Sequence, residues 1–278
     1  MSIDERLASL KAVLSGQMEL LRLCLKIIND GSIEYQGERA SCSLSEPKIQ
    51  TSTLVAMAAG QSVNTILRIA EWRGIPVRDL YPIARCALES FINAAYLIAE
   101  EDSVAEKAIR YVAFAAYRQQ NRRVGSGQFT LDISTQPKAT AEEEARLSEF
   151  KGKNSWTPLD VASRMNKVGL FAGDKAGSRL LAGYALLYSI SSEIIHGSPF
   201  GVNCFYQAHL PANSEGDVEA FREATARHVE DVLIALIHGL AGYLSAFFTL
   251  QGMESLKHAE QSLFNTYLVL EGIDPQVH

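Results

Sequence analysis

Apolar residues recur along this chain at helical spacing almost from end to end. Leu7, Leu10, Leu14, Leu21, Leu25 and Ile28 fall three, four or seven apart with charges between them, which predicts a helix over Ile3 to Asn29 closed by Gly31. Ser45 with Pro47 behind it starts a second, carried by Leu54, Met57, Ile66 and Ile69 to Trp72, ahead of Gly74 and Pro76. A third is predicted from Val77 to Glu101, with Ile83, Leu88, Phe91, Ala95 and Ile98 on its core face. Asp102-Ser103 caps a fourth, from Val104 to Arg123. Thr140 with Glu143 forms a capping box for a short charged helix, Thr157-Pro158 starts another that ends at Gly169, and Asp174 opens one that ends at Gly197. Long and short helices follow from Asp217 to Gln251 and from Ser255 to Glu271.

Between these lie irregular connections near 31–45, 124–139 and 198–216, the second with room for a brief strand at Phe129 to Ile133. Nowhere does the pattern alternate with period two for long enough to demand a sheet. The expectation is an all-α fold, a single domain over 1–278 built as a helical bundle of about eight or nine helices, with the Asp217 helix central. Within that helix Val232 to Leu250 is uncharged throughout, so a membrane span has to be weighed. The run contains His238, Gly239, Gly242, Tyr243, Ser245 and Thr249 and continues from the charged stretch Arg222 to Asp231, which favours the centre of a bundle over a membrane.

Composition changes this picture little. With 278 residues, 47% hydrophobic and 21% charged, the chain can bury a large core, and a net charge of -6 excludes a globally basic nucleic-acid binder while leaving a local patch open. Cys24, Cys42, Cys86 and Cys204 are scattered without CxxC spacing, as in reduced intracellular thiols, and the acidic start MSIDERLASL lacks the order of a signal peptide. A cytoplasmic location is therefore expected.

Candidate chemistry concentrates in Gly183 to Gly201. Tyr188, Ser192 and His196 are four apart and share one helical stripe, ending where Gly197 and Pro199 stop the helix, with Ser198 between them. Arg85, Glu89 and Asn93 form a similar stripe in the apolar third helix. Charged groups on an apolar face are costly unless paired, so Arg85 and Glu89 are expected to pair. Packing of these two helices would bring Arg85, Glu89, Tyr188, Ser192 and His196 into one polar site, with Glu193 adjoining. The alternative is a structural ion pair beside a histidine that caps its helix through the dipole.

Arg110, Arg118, Arg122 and Arg123, interleaved with Tyr111, Phe114 and Tyr117, could meet RNA phosphates, although arginines on a solvated face with aromatics in the core fit the same pattern. No HxxxH or HExxH pair exists, GDKAGS and Gly125-Ser126-Gly127 lack P-loop spacing, and there is no GxSxG elbow; neither a metal nor a cofactor is expected.

RxxxE in an apolar helix followed far downstream by YxxxSxxxHGS resembles the mainly bacterial domain-of-unknown-function family 5677, through Arg85, Glu89, Tyr188, Ser192, His196, Gly197 and Ser198. That resemblance implies a helical bundle over residues 45 to 250 and no established activity. More loosely the chain resembles HEPN domains, helical nucleotide-binding or RNA-cleaving modules of defence systems. Their nucleases carry an arginine, then four to six residues, then the histidine; four to seven positions before His196 this chain has Ser192, Ser191, Ile190 and Ser189, with no arginine. The HEPN likeness implies a metal-independent ribonuclease with His196 as acid–base group and Arg85, from another helix, binding phosphate. The first expectation is a non-catalytic helical protein of a defence or regulatory setting, whose polar cluster is structural or binds a small polar or anionic ligand. A homodimer formed through one of the apolar helices is a further expectation.

Overall fold

The computed structural model describes residues 1–70, 77–134, 140–201 and 218–275. The expected end of the second helix at Trp72, with Gly74 and Pro76, and the whole of 202–216 lie outside them. Among the described residues are nine α-helices, one 3-10 turn (Ser148–Phe150) and two antiparallel hairpins, an all-α bundle as the periodicity predicts. The helices are α1 (Ile3–Asp30), α2 (Glu46–Ile69), α3 (Val77–Ala99), α4 (Asp102–Gln120), α5 (Ala141–Leu147), α6 (Val161–Ala172), α7 (Asp174–Ile195), α8 (Val218–Leu250) and α9 (Glu254–Leu270).

Local signals set most boundaries. Ser2 and Glu5 form a reciprocal capping box at the start of α1, and Gly31, at φ 76°, takes the left-handed position after its end. Thr140 and Glu143 cap α5 in the same way. Thr157-Pro158 does not start α6; Asp160 does, its carboxylate accepting the Ser163 amide at 2.7 Å. Ser45 precedes α2 but caps nothing, its hydroxyl donating instead to Asp102 at 2.8 Å.

The long helix α8 is the axis of the bundle, packed by α7, α3, α1 and α9. From Val232 to Phe248 almost every side chain is buried, including Tyr243, Phe247 and Phe248, and Phe91 of α3 lies 5.6 Å from the Tyr243 ring. A helix apolar on all sides requires neighbours on all sides, and here other helices supply them. It is also long and apolar enough to cross a membrane, with 83% of its most apolar window buried.

Two hairpins occupy stretches expected as loops, the second including the brief strand expected at Phe129 to Ile133. Ser32–Tyr35 (β1) pairs with Glu38–Ser41 (β2), and Asn121–Ser126 (β3) with Phe129–Ser134 (β4). The fourth helix therefore stops at Gln120, and Arg122 and Arg123 belong to a strand. Gly37 and Gly127, both at positive φ, make the turns that let the chain reverse.

Candidate functional site

The stripe Arg85–Glu89–Asn93 on α3 faces a seam formed with α6 and α7. The Arg85 Nε donates to Glu89 Oε1 at 2.8 Å, and its guanidinium carbon lies 4.6 Å from the centre of the Tyr188 ring. Tyr188 stacks in turn on Tyr184, one helical turn back, with centroids 4.6 Å apart and planes 27° from parallel. One turn further along α3, the Asn93 carbonyl accepts a hydrogen bond from Arg164 of α6, whose Nε also donates to the Asp160 carbonyl at 3.3 Å. Arg85 thus pairs with Glu89, while Arg164 bonds to Asn93 one turn further along α3.

Their environments differ. Burial works against the Arg85 charge, but the hydrogen bond and charge of Glu89 outweigh it, and the guanidinium is held above its ordinary value. Arg164 is pushed the other way, below its ordinary value, because burial dominates and Glu89, Tyr96, Tyr184 and Asp160 offset only part of it. Among the described residues Arg164 makes no ion pair; its partners are an amide oxygen and a main-chain carbonyl. The Tyr184 phenol is pushed up, first by burial and then by the adjacent Tyr188. Tyr188 itself is 41% exposed, so the seam opens to solvent at its α7 edge.

His196 does not join this cluster. It is the exposed C-cap residue just after α7, and the helix ends there in a Schellman motif. The Ser198 amide donates to the Glu193 carbonyl at 3.1 Å and the Gly197 amide to that of Ile194 at 3.1 Å, with Gly197 at φ 62°. Ser198 completes the stop: its hydroxyl donates to the Glu193 carboxylate and accepts the Gly201 amide at 3.0 Å. Ser192, half-buried, accepts the His196 amide through its carbonyl at 3.1 Å. His196 lies eight residues beyond Tyr188, about 12 Å along the axis.

The basic stretch is divided as well. Arg118 donates to the Lys153 carbonyl at 3.2 Å and lies over Phe114, in an aromatic group with Tyr111 and Phe150 that fastens α4 to the 3-10 turn. Arg122 is exposed at the root of the β3–β4 hairpin. The basic, aromatic-bearing helix is thus a packed contact followed by a strand.

Sequence reasoning passed over Arg164 and Tyr184. Tyr184 continues the Tyr188 stripe by one turn and was open to the same argument; Arg164 sits in a short helix with no local sign that it faces Asn93. A second polar group was also passed over. Arg179 of α7 pairs with Glu260 of α9 at 2.7 Å, with only 5% and 2% of the two side chains exposed, and its guanidinium stacks 3.8 Å above Phe264. His238 of α8 completes that group, its Nε2 3.1 Å from the Tyr267 hydroxyl, beside an open cleft of about 650 Å³.

Helix order, the α3 stripe and the YxxxSxxxHGS terminus together define a class of helical protein rather than a class of reaction. Residues 60–210 match the family described as "Family of unknown function (DUF5677)", and the chain belongs to it. No curated protein and no solved structure matches the chain.

Proposed function

We propose that this chain binds a small anionic ligand at the seam of α3, α6 and α7, as a regulatory or defence-associated helical protein. One observation carries the reading: Arg85 is paired with Glu89, whereas Arg164, half-buried in the same seam, makes no ion pair among the described residues and donates only to neutral oxygens. A guanidinium at low dielectric with only neutral oxygen partners is a ready acceptor of a phosphate or carboxylate, which it grips bidentately. Tyr188 covers Arg85 on one face and Tyr184 lines the same edge, so the ligand would meet donors and an aromatic wall together. The ribonuclease reading has less support, since no hydrogen bond or ion pair among the described residues links His196 to either arginine.

Titration with inorganic pyrophosphate, followed by calorimetry and thermal melting, tests the reading. Wild-type chain is expected to bind and melt higher; Arg164→Met and Arg85→Met are expected to lose at least about tenfold in affinity, the scale of one charge-assisted hydrogen bond. His196→Ala is expected to bind as the wild type does. Equal binding by the arginine variants, or none by the wild type, would sink the proposal.

A further inference from the structure

The solvent face of α7 carries a regular line of uncharged side chains. Ser178, Leu181, Ala185, Tyr188, Ser192 and Ile195 follow one another at alternating intervals of three and four residues, the spacing that keeps side chains in one row along a helix. Leu181, Tyr188 and Ile195 are 52%, 41% and 51% exposed, Ser178 and Ala185 are exposed, and Ser192 is half-buried. Small and large residues alternate strictly along the row, each kind recurring every seven positions.

The neighbouring helix α6 widens this face. Its Leu170, 70% exposed, lines a groove of about 390 Å³ together with Ala162, Gly169, Gly177, Ser178 and Leu181. The two helices approach closely beneath it: a methyl group on Gly177 would come within 2.8 Å of the Gly169 α-carbon. The row of α7 therefore has ridges at its large residues, gaps at its small ones, and an open apolar groove beside Ser178. Contiguous exposed apolar surface of this kind marks an interaction site.

We propose that a second copy of the chain covers this face, α7 against α7 and antiparallel. The order of sizes selects that occupant. A two-fold axis at the level between Leu186 and Leu187 sets Ser178 opposite the partner's Ile195, Leu181 opposite the partner's Ser192, and Ala185 opposite the partner's Tyr188. Every large side chain then meets a small one, as knobs meet holes, and Ile195 falls at the groove beside Ser178. An unrelated protein or a bilayer would gain nothing from this alternation. The same axis brings each helix start beside the other's end, so the dipoles run opposed and Asp174 comes within one turn of the partner's His196, both exposed. A contact about 33 Å long and about 10 Å wide lies at the low end of specific interfaces, roughly 1,200 Å², which suits a dimer of micromolar strength. Tyr188 also covers Arg85, so the anion seam opens beside this interface.

Analytical ultracentrifugation of the full chain without added anion tests this, so its outcome stays separate from that of the anion site. The wild type is expected to be a dimer at tens of micromolar. Chains carrying Leu181→Asp or Ser192→Arg are each expected to associate about a hundredfold more weakly. An equimolar mixture of the two should recover about tenfold, because this register sets the new carboxylate against the new guanidinium. Ala185→Arg, at an exposed position beside the axis, should dissociate the dimer while the helical circular dichroism is retained. Val269→Glu, at an exposed apolar position on α9, should leave it intact. A wild type still monomeric at about 100 µM, variants that associate as the wild type does, a mixture without recovery, or a monomer that takes up a different protein or lipid vesicles through α7 would each overturn the proposal.

Discussion

Arg179 and Glu260 illustrate how one residue pair can matter more to this fold than its visible surface charges. Both are nearly sealed from water, and Glu260 is held above its ordinary value chiefly by burial, with Arg179 pulling it back. Such a pair adds little net stability when complete, but removing one partner strands the other. Arg179→Met is expected to cost about 3–5 kcal/mol in urea unfolding, and Arg179→Met with Glu260→Met to recover most of it. His238 beside them gives a second expectation. Burial first, then the Arg179 charge, lowers it from 6.5 to about 4, and its Nδ1 has no partner among the described residues. A histidine kept neutral in the fold binds its proton more readily when unfolded. Its contribution is therefore complete above pH 6.5 and lost as the pH falls towards 4, by up to about 3 kcal/mol. Glu260 acts in the opposite sense, so the comparison must be with His238→Phe, whose stability should fall less between pH 7 and pH 4.5.

At the level of elements, the contact between α7 and α8 depends on backbone proximity that side chains would prevent. A methyl group on Gly183 would come within 2.6 Å of the Ala235 carbonyl oxygen and 3.0 Å of the Gly239 nitrogen, atoms that cannot move aside as a side chain can. Helix propensity alone favours Gly183→Ala by about 1 kcal/mol, and overpacking opposes it by about 1–3 kcal/mol. Net destabilisation of about 1 kcal/mol is expected in chemical unfolding; a gain would mean the helices can separate freely. Elements also show where the sequence was readable. The Arg85–Glu89 pairing and the stop after His196 follow from spacing along one helix, so both were legible. The meeting of Arg164 with Asn93 depends on how α6 crosses α3, and no local pattern encodes it. Of the hairpins only the strand at Phe129 to Ile133 was legible, because their strands span only four and six residues. Alternation over so few positions is hard to separate from a polar loop.

For the whole molecule, the question raised by α8 is which solvent its apolar surface meets. The most apolar window is 83% buried, and the helices around it bring complementary apolar faces: Leu10, Leu14, Leu21 from α1, Leu88 and Phe91 from α3, Leu180 and Leu187 from α7. A bilayer span would have to expose that surface to lipid, abandoning these contacts and leaving four helices with bare apolar faces in water. At about 25 cal/mol per Å² that exchange is unfavourable unless every partner helix also entered the membrane. The outer faces of two of them oppose it, since α1 carries Glu19, Arg22 and Lys26 and α9 carries Glu254 and His258 at exposed positions. The chain purified without detergent is therefore expected to remain in the supernatant after high-speed centrifugation and to unfold in one cooperative transition. Partition into the membrane fraction, released only by detergent, would show that α8 has a second environment and that the bundle can open to supply it.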